Sequence, residues 1–94
     1  METAIQTETH IGGVIVHCRP SHAVALKSRL ARFPGTQVHA ATPEGKLVAT
    51  VEAGSAERIL NVMDAMRRLP GVLNVALVYQ HAEPTADLEQ EIEP

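Results

Sequence analysis

The groups best suited to chemistry in this chain are one thiol and five imidazoles: Cys18, with His10, His17, His22, His39 and His81. A nucleophilic cysteine needs its thiolate stabilised in a partly open, electropositive setting. Residues 12–18, GGVIVHC, are rich in β-branched side chains and follow two glycines, so they read as a strand. Alternation turns Val14, Val16 and Cys18 to one side, and Gly13, Ile15 and His17 to the other. Cys18 then shares a face with two valines and reads as a small core hydrophobe rather than a nucleophile. A bound metal wants three or four ligands at a recognisable spacing. His17 and His39 could approach each other across a sheet, but no third ligand accompanies them. The sequence has no glycine-rich phosphate loop, no G-x-S-x-G, and no pair of carboxylates placed to share a site. These residues predict a protein that is not an enzyme, with no cofactor and no metal.

The elements that would position these groups belong to one small domain of 94 residues. The chain is 45% hydrophobic but holds no Trp, one Phe (Phe33) and one Tyr (Tyr79), so its core must be aliphatic. A single cysteine rules out an internal disulfide. No run approaches the ~18–20 apolar residues of a membrane span. The opening METAIQTETH carries Glu2 and Glu8 and no Lys or Arg, the wrong charge for a secretory signal. The expectation is a cytoplasmic protein with no membrane insertion.

The net charge of −3 is unevenly spread. The closing AEPTADLEQEIEP holds five acids and no base, a composition that predicts a disordered, solubilising tail over 82–94. Residues 1–10 are expected to be flexible, and the folded domain to span 11–81.

Along that domain, Pro20 stops the first strand and Ser21 is a plausible N-cap. Ala23, Leu26, Leu30 and Phe33 then fall on one helical face, with Lys27, Arg29 and Arg32 on the other. Pro34-Gly35 ends this helix. Residues 36–41 form a short strand, TPEG a hairpin turn, and residues 46–52, KLVATVE, a strand with clean alternation. Gly54-Ser55 caps a second helix in which Ile59, Val62, Met63, Met66 and Leu69 share a stripe. Pro70-Gly71 breaks it, and residues 72–79 form the last strand. The phrase RFPG at 32–35 thus returns as RLPG at 68–71, marking the same event twice: a helix ends, the chain reverses, a strand begins. The order β-α-β-β-α-β predicts an α+β, ferredoxin-like plait, a four-stranded antiparallel sheet with both helices on one face.

Such a fold leaves the other sheet face uncovered. Alternation places Gly13, Ile15 and His17 there, with Gln37, His39 and Ala41 from the second strand. The third strand supplies Lys46, Val48, Thr50 and Glu52, and the fourth Asn74, Ala76 and Val78, with Leu73, Val75 and Leu77 inward. Ile15, Val48, Ala76 and Val78 would form an exposed apolar strip, edged by His17, His39, Thr50, Glu52 and Asn74. Exposed strips of this kind mark binding surfaces. No position assigned to the face is aromatic, whereas a plait that binds RNA stacks bases on aromatics there, so nucleic acid is not the expected partner.

The segments LARFPGTQV, PEGKLVATVEA and LPGVLNVALVYQH, at these spacings, resemble the NapD family. The resemblance covers residues 13–81; the opening VIVHCRP matches more loosely, and residues 1–9 fall outside it. It implies the plait described above and a cytoplasmic chaperone without cofactor or catalysis. The implied partner is the precursor of the periplasmic nitrate reductase catalytic subunit, NapA. Its twin-arginine (Tat) signal peptide would dock on the open face, withholding the precursor from export until the molybdenum cofactor is in place. The implied peptide-binding residues are Ile15, His17, His39, Val48, Thr50, Glu52, Asn74, Ala76 and Val78. Residues 10–81 hold four acids (Glu44, Glu52, Glu57, Asp64) against eight bases, so the domain as a whole is no acidic cradle for arginines. Weak self-association through the edge strands is a further expectation. The rival is an ACT-type effector-binding module, which shares the element order and pairs side by side. Its ligand loop after the first strand is typically rich in Gly or Asp, whereas here it reads CRPSH.

Overall fold

The computed structural model describes residues 8–84. The expectations for residues 1–7 and 85–94 lie outside the described residues. Four strands and two helices follow in the anticipated order: β1 (Glu8–Cys18), α1 (Ala23–Leu30), β2 (Thr36–Ala41), β3 (Lys46–Ala53), α2 (Ala56–Arg67) and β4 (Val72–Pro84). The sheet runs β2-β3-β1-β4, antiparallel throughout. This is the ferredoxin-like α+β plait.

Alternation explains the layers. β3 has a fully buried face made by Leu47, Ala49 and Val51, and β1 contributes Val14, Val16 and Cys18 to the same side. Leu26 and Leu30 of α1, with Ile59, Met63 and Met66 of α2, close over them, and Val75 joins from β4. Cys18 is 3% exposed, and burial raises its thiol pKa, which keeps it neutral and unreactive.

The first and last strands run further than alternation alone suggested. β1 begins at Glu8, not after residue 10, and β4 reaches Pro84, with Glu8 paired to Pro84 and His10 to Ala82. The two ends hold each other in the ladder, a long-range pairing that local composition does not encode. The first helix also differs from expectation. Ser21 does not cap it, because Pro20–His22 form a 3-10 turn closed by a 2.8 Å bond from His22 N–H to the Arg19 carbonyl. The helix ends at Leu30. Phe33 lies in the following turn, partly buried against the core. α2 starts as expected: the Ser55 hydroxyl accepts from the Arg58 N–H at 3.2 Å. Ser55→Ala is expected to cost about 1 kcal/mol, read as a lower urea midpoint at unchanged slope. At its other end Arg67 pairs with Asp64 at 2.6 Å and donates to the Val75 carbonyl at 3.1 Å, tying the helix to β4.

The repeated Arg–apolar–Pro–Gly phrase is the same structure twice. Phe33 N–H bonds the Leu30 carbonyl and Thr36 N–H the Phe33 carbonyl, both at 3.1 Å. Thirty-six residues on, Leu69 bonds Met66 at 3.1 Å and Val72 bonds Leu69 at 3.2 Å. Gly35 and Gly71 take φ of 71° and 90°, the left-handed region that glycine enters without penalty. Each glycine carbonyl then accepts from the end of the neighbouring strand, Gly35 from Glu52 at 2.8 Å and Gly71 from Arg19 at 2.9 Å. The two β-α-β halves are therefore closed by equivalent contacts.

Candidate functional site

The hydrogen-bond register fixes which residues meet on the uncovered face. One row aligns His17 with Lys46 and Asn74. The next aligns Ile15 with Val48, Ala76 and, in β2, Ala40. Then come Gly13 with Thr50, Tyr79 and Gln37, and Ile11 with Glu52 and His81. Thr9 and Glu83 complete the ladder. The expected residues Ile15, His17, Val48, Thr50, Glu52, Asn74 and Ala76 are all brought to this face.

Three irregularities shape it, and each is a β-bulge, where one extra residue on one strand opposes the ladder. In β2 the register slips between Val38 and Ala40, leaving His39 at the bulge. Its Nε2 lies 2.8 Å from the Thr50 hydroxyl, which holds the imidazole on the open face. Beyond the slip Ala40 pairs with Val48 and Ala41 with Leu47, so Ala41 lies on the helix side rather than on the open face. In β4 the register slips at Leu73, which is 63% exposed instead of buried with Val75. It slips again at Val78, which is 57% exposed. That second bulge reverses the parity beyond it and delivers Tyr79 to the open face, paired with Gly13.

Tyr79 is the residue that corrects the expectation of a face without aromatics. A Cβ on Gly13 would collide with Cδ2, Cε2 and Cζ of the Tyr79 ring, so the ring lies across the glycine. Glycine is required here by close approach. Ile11 and His81 were also missed. Ile11 continues the alternation of Ile15 and Gly13 and was legible had the strand been extended past the glycines. Tyr79 was not legible without the bulge. A single aromatic still falls short of the two or three bases stacked by an RNA-binding plait.

The histidines do not converge. β3 separates His17 from His39, and His39 is engaged by Thr50. His10 pairs with Glu8 at 3.3 Å and His81 with Glu83 at 2.7 Å. No group of three or more His, Cys, Asp or Glu among the described residues could hold a metal. Cavities of about 300, 390 and 400 Å³ open beside the helices and at the sheet ends, lined by residues such as Phe33 and Leu69, Arg58 and Val62, or Ala23 and Ala41. The centre of the open face contributes to none of these three. It is a broad platform suited to an extended or helical polymer rather than a pocket for a small effector. No helix among the described residues is long and apolar enough to cross a membrane.

Comparison with known proteins gives this platform a context. The family model "NapD protein" matches residues 9–84. The "Chaperone NapD" of Escherichia coli is 29% identical over 80 residues, covering 84% of this chain and 92% of the relative. The "Chaperone NapD" of Paracoccus pantotrophus is 34% identical over 80 residues, 85% of this chain and 70% of the relative. The solution structure of the E. coli Tat proofreading chaperone protein NapD matches with a TM-score of 0.74 at 29% identity, over 80% of each chain. A transcriptional regulatory protein of the AsnC family from Pyrococcus furiosus matches at a TM-score of 0.64 but 11% identity, over 85% of this chain and 55% of that one, a likeness of fold alone. Matched by the family model over residues 9–84 and by these relatives over 80 residues each, the chain belongs to the NapD family.

Proposed function

We propose that this protein is a cytoplasmic proofreading chaperone that captures the twin-arginine signal peptide of a NapA precursor on its open sheet face. The observation that carries the reading is the contiguity of Ile15, Val48 and Ala76 in one register row, with the exposed Val78 beside them. An apolar row at the middle of an uncovered sheet has no use within the fold, and a signal peptide has an apolar segment to cover it. Each Å² of apolar surface so buried contributes roughly 25 cal/mol before ordering costs are subtracted. The apolar segment would lie as a helix on the platform, with its apolar stripe against the sheet.

The protein's part is physical rather than chemical. The relatives are named chaperones, and the one thiol is buried and neutral. Capture hides the arginine pair from the export machinery. Release follows when a tighter binder competes or when the folded cargo draws the peptide away.

Titration calorimetry of the protein against a synthetic NapA signal peptide, with a twin-lysine version as control, tests this. The expected result is one-to-one binding weakened by the lysine swap, because a guanidinium stacks and bonds bidentately where an ammonium cannot. Binding of neither peptide, together with a thermal shift from a small metabolite such as an amino acid, would point to the effector-binding alternative.

A further inference from the structure

The open face is electrically polarised along its strands. One end, the row His17–Lys46–Asn74, carries Lys46, with Arg19 just past β1 and Glu44 in the adjoining turn. The other end carries Glu52 in the row of Ile11 and His81, and Glu83 beyond it. Glu83 is engaged by His81 at 2.7 Å. Glu52 is exposed and makes no ion pair with a described residue. Between Glu52 and the apolar row lies Tyr79, its ring laid across Gly13 and the residue 52% exposed. An aromatic face held over a strand by a missing side chain, one row from an uncommitted carboxylate, has the makings of a cation site. The ring favours a planar guanidinium, which stacks, over an ammonium.

Resting on the chaperone reading above, we infer that Tyr79 on Gly13 is the stacking platform for one arginine of the pair, with Glu52 as the countercharge. The bound peptide then has a fixed direction. Its basic N-terminal region lies at the Glu52 end, and its apolar segment crosses Ile15, Val48 and Ala76 toward Lys46. A signal peptide places its positive charge before its apolar stretch, so the acidic-to-apolar-to-basic order of the face is complementary in this sense and repulsive in the reverse one.

Two readouts test this. Tyr79 is the one tyrosine in a chain without tryptophan, so its emission reports on the site directly when the peptide lacks both. The first readout is the ratio of affinities for twin-arginine and twin-lysine peptides. Tyr79→Leu is expected to weaken the arginine peptide roughly three- to tenfold and the lysine peptide less than about twofold. Tyr79→Phe, which keeps the ring, should preserve the wild-type ratio, and Glu52→Gln should weaken both peptides. The second readout is direction. A nitroxide on the peptide's N-terminus should broaden the amide signals of Ile11, Glu52 and Tyr79 more than those of His17, Lys46 and Asn74. An arginine-to-lysine ratio unchanged in Tyr79→Leu, or broadening concentrated at the Lys46 end, would overturn the inference while leaving peptide capture on this face intact. Failure of the wild-type protein to bind either peptide would instead overturn the chaperone reading and this inference with it.

Discussion

Val48→Asp is expected to weaken capture of a twin-arginine signal peptide by at least about tenfold, a loss of about 1.4 kcal/mol, while leaving the far-ultraviolet circular dichroism spectrum unchanged. Val48 stands in β3 between Ile15 of β1 and Ala40 of β2, at the centre of the open face. The core side of this strand is filled by its neighbours Leu47 and Ala49, both fully buried. A carboxylate at position 48 therefore reaches solvent in the free protein and disturbs no core contact. In the complex it would sit beneath an apolar segment, where a charge loses its water without gaining a partner. The intrinsic strand penalty for Asp spans at most about 1 kcal/mol, too little to unfold the domain. Calorimetric affinity beside the spectrum separates the two effects. Unaltered affinity would move the peptide site off this face.

The second large effect concerns the fold that presents the face. Gly35→Ala is expected to destabilise the protein by about 2–4 kcal/mol, lowering the melting temperature by on the order of 10–20 °C. Gly35 has φ of 71°, which costs an L-residue with a side chain roughly 1–2 kcal/mol. An added Cβ would also drive into the Glu52 carbonyl oxygen, and the 2.8 Å bond from Glu52 N–H to the Gly35 carbonyl would have to open. Gly71 occupies the equivalent corner of the second half, at φ of 90°. There the obstacle is the His22 side chain, whose ring can rotate away but whose Cβ cannot; that fixed approach is less close than the one to the Glu52 carbonyl oxygen at Gly35, so Gly71→Ala should cost less than Gly35→Ala. Calorimetric melting of both variants checks the order. Equal stability of Gly35→Ala and wild type would contradict the strain account.

These two sites show what was legible in the sequence. The Pro-Gly phrase at 34–35 and 70–71 announced two equivalent chain reversals, because few other residue pairs both end a helix and accept a left-handed turn. The alternation of Leu47, Ala49 and Val51 against Lys46, Val48, Thr50 and Glu52 set both faces of β3 correctly, since a one-residue slip would have buried charge. β4 was harder. Unbroken alternation would keep Leu73 and Tyr79 inward, but bulges at Leu73 and Val78 interrupt it, exposing Leu73 and turning Tyr79 outward. A bulge depends on the partner strand, and no local composition in LNVALVY marks it. Gly13 carried half of the missing signal. An unexplained glycine inside a strand often means that something lies over it, but only the register says what. The same limit applies to β2, where the bulge at His39 exchanged Ala40 for Ala41 on the open face. The ends of the sheet were underestimated for a related reason. Glu8 and Pro84 join strands because they pair with each other, not because either has a strong strand preference.

The central claim is that the open face, not the helix layer, holds the signal peptide. Amide chemical-shift mapping of isotope-labelled protein during titration with an unlabelled twin-arginine peptide tests it most directly. The account predicts the largest changes at Ile15, Val48, Thr50, Ala76, Val78 and Tyr79, with the exposed positions of α1 and α2, such as Val24 and Leu60, nearly still. Changes concentrated on those helix positions, with the sheet residues unmoved, would contradict it.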